Sequence, residues 1–185
     1  MNWKILNATV AAGLVVFGGI GVSAQDKSGS SDRMTNHEMA SMSADSHWVT
    51  KAAQGGVAEV EFGNLAKDRA SSDAVKSFAQ QMIDDHTNAN DELKALAGQK
   101  NITLPADIDP KDKAVMDKLS KLNGAAFDKA YMRDMVADHK KDVAEFQKEV
   151  NSGKDPDVKA WAAKTLPTLQ HHLQMAQQIE HKSIN

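Results

Sequence analysis

From residue 46 onward, apolar side chains recur at three- and four-residue steps, the spacing that lines one face of an α-helix. A first helix is predicted from near Ser46, with Trp48, Ala52, Gly55, Glu59, Phe62 and Ala66 on one face. Its Gly55-Gly56 pair is costly in a helix, about 1 kcal/mol per residue against alanine, and so predicts close approach of a neighbour. Ser71-Ser72-Asp73 supplies a break and an N-cap. A second stripe follows, through Val75, Phe78, Ala79, Met82, His86, Ala89, Leu93 and Leu96, with Gly98 as its predicted stop.

A loop through Leu104-Pro105 leads to a short helical piece from Pro110 to Leu122, with proline suited to its first turn. After Asn123-Gly124, a third long stripe carries Phe127, Tyr131, Met135, His139, Val143, Phe146 and Val150. A turn over 151–155 precedes Pro156 and a last stripe, Val158, Ala162, Leu166, Leu169, His172, Ala176 and Ile179. Four long amphipathic helices, paired by short turns and joined by one longer connection, predict an all-α, ferritin-like four-helix bundle. Its single crossover contains the short extra helix. The segment FAQQMIDDH at 78–86 aligns with YMRDMVADH at 131–139, an internal echo of a helix pair.

Each long stripe is interrupted by one polar residue: Glu59, His86, His139 and His172. A bare polar group in a core costs several kcal/mol, so each needs a partner. Convergence of the four in the bundle interior predicts a metal site. Three imidazoles and a carboxylate suit one transition ion, whether copper, zinc, iron or manganese. Against this stands the plainer reading, in which the histidines are hydrogen-bonded core groups or pH sensors.

Asp85 and Asp138 precede two of the histidines and point about 100° away, which suits them to accept from a neighbouring imidazole or to lie on the solvated surface. Met82 and Met135 share faces with His86 and His139 and would favour copper if their sulfurs took part. Counting from the turns, His172 lies more than one helical turn out of level with His139, and Pro167 is where a kink would correct it. His171, off the stripe, is a reserve ligand.

The N-terminus changes the picture of location. Lys4 precedes an apolar run from Ile5 to Val22, which ends in Val22-Ser23-Ala24. That pattern predicts a signal peptide over 1–24, cleaved between Ala24 and Gln25, and an exported, periplasmic destination. No later segment is apolar enough to span a bilayer. Residues 25–45, rich in Ser, Met and Asp, read as a flexible linker whose Met34, His37, Met39, Met42 and neighbouring His47 form a weak copper-capture pattern. Residues 46–182 form the bundle. Roughly 160 residues after cleavage suit one domain.

The chain has no cysteine, so neither disulfides nor thiolates enter the fold or the site. Its net charge of −3 includes no basic block, which argues against a nucleic-acid partner. An envelope protein partner stays open.

Taken together, AEVEFGNLA at 58–66, VKSFAQQMIDDH at 75–86, GAAFDKAYM at 124–132, VADHKKDVAEF at 136–146 and LPTLQHHL at 166–173 resemble the bacterial exported family called domain of unknown function 4142, of the ferritin-like superfamily. The resemblance implies the helical fold and an envelope location, and no defined reaction. In diiron members of the superfamily, Glu-x-x-His recurs on two helices. Here the positions three before the histidines are Ile83, Val136 and Leu169, which argues against diiron oxygen chemistry. No nucleophile triad, phosphate-binding loop or paired-acid arrangement stands out, so the sequence leans away from an enzyme. It points to an exported metal-binding or metal-stress protein, with a non-catalytic stress or interaction module as the alternative.

Overall fold

A computed structural model of the chain describes residues 36–184, with side-chain surroundings from residue 43 to 182. The predicted signal peptide and the predicted linker up to residue 35, Met34 included, lie outside the described residues. Five helices follow one another: α1 Asn36–Arg69, α2 Asp73–Gln99, α3 Pro110–Leu119, α4 Gly124–Ser152 and α5 Pro156–Ile184. Helix α1 packs chiefly on α2, and α4 on α5; the two pairs meet through α2 with α5 and α1 with α4. The short α3 lies in the crossover and packs on α1 and α4. This is the four-helix bundle with one crossover that the stripes predict. Among the described residues no helix is long and apolar enough to cross a membrane.

Helix α1 begins ten residues earlier than the sequence pattern indicates, so 36–45 is helical and not a flexible linker. The segment HEMASM at 37–42 has Glu, Met and Ala, all good helix formers, and neither Gly nor Pro. Asp45 anchors the extension. It is buried, and its carboxylate accepts from the amides of Lys154 (2.8 Å) and Asp155 (2.6 Å) in the α4–α5 turn. Asp128 on α4 makes the reciprocal contact, accepting from the amides of Ser71 and Ser72 and the Ser71 hydroxyl in the α1–α2 turn. Each helix pair therefore holds the other pair's turn. Ser72 occupies the N-cap position of α2, but its side chain makes no capping bond.

Gly98 lies inside α2; the helix runs to Gln99 and leaves through Asn101, which adopts the left-handed conformation (φ 55°) that Asn tolerates better than most residues. Helix α3 ends at Leu119, short of the predicted Leu122. Of the glycine pair in α1, Gly56 is the one at a close approach, since a Cβ there would overlap the Asn90 side chain. A second close approach lies two turns further on, where a Cβ on Gly63 would come within 2.7 Å of Ile83 and 3.0 Å of the Ala79 carbonyl oxygen, a backbone atom that cannot move aside.

The core falls into two apolar clusters. One contains Phe62, Phe78, Met82, Phe127, Tyr131 and Met135; the other contains Val49, Leu93, Phe146, Trp161, Leu166 and Leu169. Along α2, His86 falls between Met82 and Leu93. Along α4, His139 falls between Met135 and Phe146, and along α5, His172 falls between Leu169 and Ala176. The polar residues thus form a layer between two hydrophobic blocks, each of whose large side chains contributes about 1.5–3 kcal/mol by burial.

Candidate metal centre

The three stripe histidines come together. His139 and His172 are fully buried and His86 is 6% exposed. Ring centroids are 5.9 Å apart for His86 and His139, 5.4 Å for His86 and His172, and 5.5 Å for His139 and His172. The level difference counted from the turns does not keep His139 and His172 apart, and α5 continues through Pro167 as one helix. Each residue offers a ring nitrogen within 4.8 Å of those of the other two.

Hydrogen bonding orients the rings. His172 Nε2 lies 2.8 Å from the Asp85 carboxylate of α2, and His139 Nδ1 lies 3.1 Å from the Met135 carbonyl one turn earlier. Both partners are acceptors, so each of these nitrogens carries the proton and donates it. The opposite nitrogens then present lone pairs. Those nitrogens, His172 Nδ1 and His139 Nε2, are buried without a protein partner, as is His86 Nε2. Buried polar atoms without partners are rare in folded proteins and call for an explanation.

The electrostatics keep the rings neutral. Burial pushes the His86 pKa well below its ordinary range, assisted by the neighbouring His139 and His172. His139 is lowered to about 4, by burial and then by His172, with Asp138 and the Met135 carbonyl opposing. Burial also lowers His172, partly offset by its hydrogen bond to Asp85. Neutral imidazole is the form that binds metal. Nitrogens bound at about 2.0–2.1 Å to one tetrahedral ion lie about 3.4 Å apart, so small ring rotations would close a span of 4.8 Å. The donor set and its three orphaned nitrogens fit a transition ion.

Glu59, the fourth predicted ligand, is buried but does not join this group. Its nearest approach is to the proton-bearing face of the His139 ring, 3.9 Å from Nδ1, too far for a hydrogen bond. Its carboxyl instead groups with Asp138 and Asp142 of α4, an oxygen of each lying within 4.8 Å of the others. Both Glu59 oxygens are buried, and no N–H or hydroxyl donates to either. Burial, followed by the charges of Asp138 and Asp142, raises its pKa well above the carboxylate range. Asp142 is raised to about 7 by burial and by Asp138.

Asp142 is not among the residues that the stripes single out. The signal was present, since Asp142 stands four residues after Asp138 and three after His139, close to both on the helix surface. Tyr131, an apolar-stripe member in the sequence, has a buried hydroxyl with no partner, and its pKa is raised by burial and by Glu59. Met82 and Met135 are buried in the apolar cluster beside Phe78 and Tyr131. His171 and His47 are exposed. His37, Met39 and Met42 lie on α1, beyond the described side chains.

A cleft of about 340 Å³ leads into this region. His86, Asp138 and Asp142 line it, with Trp48 and Trp161 beside them.

Fold and site together define a ferritin-like helical bundle with a buried three-histidine pocket. The chain belongs to the family described as Domain of unknown function (DUF4142), which it matches over residues 30–179. Among curated proteins there is no sequence match. Solved structures of similar fold include a DUF305 fragment from Deinococcus radiodurans, at TM-score 0.67 and 16% identity over 75% of this chain and 95% of that one. A DUF305 protein from Streptomyces coelicolor, described as a putative secreted protein, aligns at TM-score 0.66 and 16% identity over 76% and 92% of the two chains. CopM in its Cu(II)-bound form aligns at TM-score 0.64 and 15% identity over 75% and 96%. At these identities the likeness is one of fold.

Proposed function

We propose that this protein is an exported metal-binding protein that holds one transition ion, Cu(II) foremost, on His86, His139 and His172, and so protects the envelope against free metal. The observation that carries the reading is the set of three buried imidazoles, each with a ring nitrogen within 4.8 Å of those of the others and each with one ring nitrogen that has no protein partner. In two of the rings a hydrogen bond at one nitrogen leaves the opposite nitrogen with a free lone pair, the pattern by which outer partners set a ligating histidine.

Imidazole donors suit copper and zinc, and copper heads the divalent affinity order. The Cu(II)-bound state of CopM, a protein of similar fold, is in keeping with that choice. In this reading the leader through Ala24 directs export, as its charged start, apolar run and small-residue end suggest. The bundle takes up metal and carries out no reaction on it.

The test is metal content of the purified chain after Cu(II) loading and dialysis. About one equivalent is expected in the wild type, and a small fraction of that in His86→Ala and in His139→Ala. Equal copper in all three removes the reading.

A further inference from the structure

The carboxyl groups beside the histidines are left without a role by the three-histidine pocket. Glu59 comes from α1, and Asp138 and Asp142 from successive turns of α4. Their oxygens lie within 4.8 Å of one another, in a group distinct from the three histidine nitrogens.

An acidic cluster on a surface is commonplace, but this one has a buried member. Glu59 is 1% exposed, no N–H or hydroxyl donates to either of its oxygens, and its carboxyl meets those of the two aspartates, sharing a proton with Asp138 at most. No lysine or arginine forms an ion pair with it among the described residues. A charged carboxyl in a core is unfavourable by several kcal/mol unless it is neutralised; without metal a proton does this at Glu59, and a divalent ion is the replacement for which three converging carboxylates are suited.

Access is built in as well. The cleft reaches Asp138 and Asp142 from outside, with Glu59 behind them. Lys141, which also lines the cleft, is half exposed and engages Glu145 at 3.7 Å.

We propose that Glu59, Asp138 and Asp142 form a second cation site, for an oxygen-preferring divalent ion of the Mn(II) kind, on the Nδ1 side of His139. The donor chemistry separates the two sites. All-oxygen carboxylate ligation selects hard cations, whereas three imidazoles select copper or zinc. Oxygens bound side by side to such an ion lie about 3–3.5 Å apart, so a span of up to 4.8 Å requires only modest side-chain closure. This site goes beyond the copper reading and does not depend on it.

Terbium(III), a hard luminescent probe, tests the proposal on the mature chain, because Trp48 and Trp161 line the same cleft and sensitise a nearby bound ion. Tryptophan-excited terbium emission is expected to saturate at one equivalent and to be displaced by Mn(II). Glu59→Gln and Asp142→Asn, which keep side-chain shape, are each expected to weaken terbium binding about tenfold or more, corresponding to about 1.4 kcal/mol. Circular dichroism on the same samples confirms the helical fold, and if Glu59→Gln does not fold, Asp142→Asn decides.

Asp142→Asn is also expected to take up Cu(II) like the wild type, which separates the two sites. Absence of sensitised emission, emission unchanged in a folded variant, or indifference to Mn(II) overturns the proposal. Copper lost in the histidine variants alongside terbium unchanged in the acid variants would leave the copper reading standing and this one refuted.

Discussion

Asp85 on α2 holds Nε2 of His172 on α5 at 2.8 Å, a contact between helices from different pairs. It sets the tautomer of His172 and leaves the opposite nitrogen, buried and without a protein partner, to bind metal. Asp85→Asn would weaken that bond while keeping the shape. A loss of about 10–100-fold in Cu(II) affinity is expected, the usual range for an outer partner of a ligating histidine. A chelator-competition titration measures it. Unchanged affinity would mean that Asp85 does not orient a ligand.

Proton competition for the pocket should begin late. A histidine free in solution titrates near 6.5, whereas burial and His172 lower His139 to about 4. Copper uptake is therefore expected to hold from pH 7 to about 5 and to fall as pH drops through about 4. A pH series of metal content reads this directly, and loss of half the copper near pH 6.5 would contradict it.

The carboxyl cluster gives stability the opposite slope. Asp142 ionises near 3.8 in an unfolded chain but at about 7 in the fold. Between those values the folded state holds a proton that the unfolded state lacks. Stability from this group is therefore present at low pH and is lost as pH rises through about 7. Asp142→Asn removes the loss, so in metal-free protein it should stabilise by about 1–2 kcal/mol at pH 8 and by almost nothing near pH 3.5. Thermal melts at the two pH values check the difference. A variant no more stable at pH 8 would refute it.

Asp128→Ala should act on the fold and spare the pocket. The buried carboxylate accepts two amides and a hydroxyl from the α1–α2 turn. Its removal strands those donors, at a cost of about 2–3 kcal/mol. A lower melting temperature with undiminished copper stoichiometry is expected.

Much of this molecule was legible in its sequence, because the helical period and the turn residues agree. Phe78, Tyr131 and Ala162 sit in the core where their stripes place them, and the same periodicity brings the three histidines to one layer. Two kinds of information were missing. The start of α1 depends on Asp45 meeting a turn more than a hundred residues away, which no local pattern contains. The company that Glu59 keeps depends on which side of His139 it faces. Stripe membership placed it in the interior, but helix rotation and packing decide whether it meets the lone pair of that ring or its N–H. Asp142 is spaced for the purpose on α4, but its role depends on Glu59 of another helix lying beside it, which spacing along one helix does not encode.

X-ray absorption of the copper-loaded chain tests the central claim most directly. The account predicts imidazole scattering from three nitrogens at about 2.0 Å, reduced in His86→Ala. A shell of carboxylate oxygens lacking imidazole scattering, or a wild-type spectrum retained in His86→Ala, would contradict it.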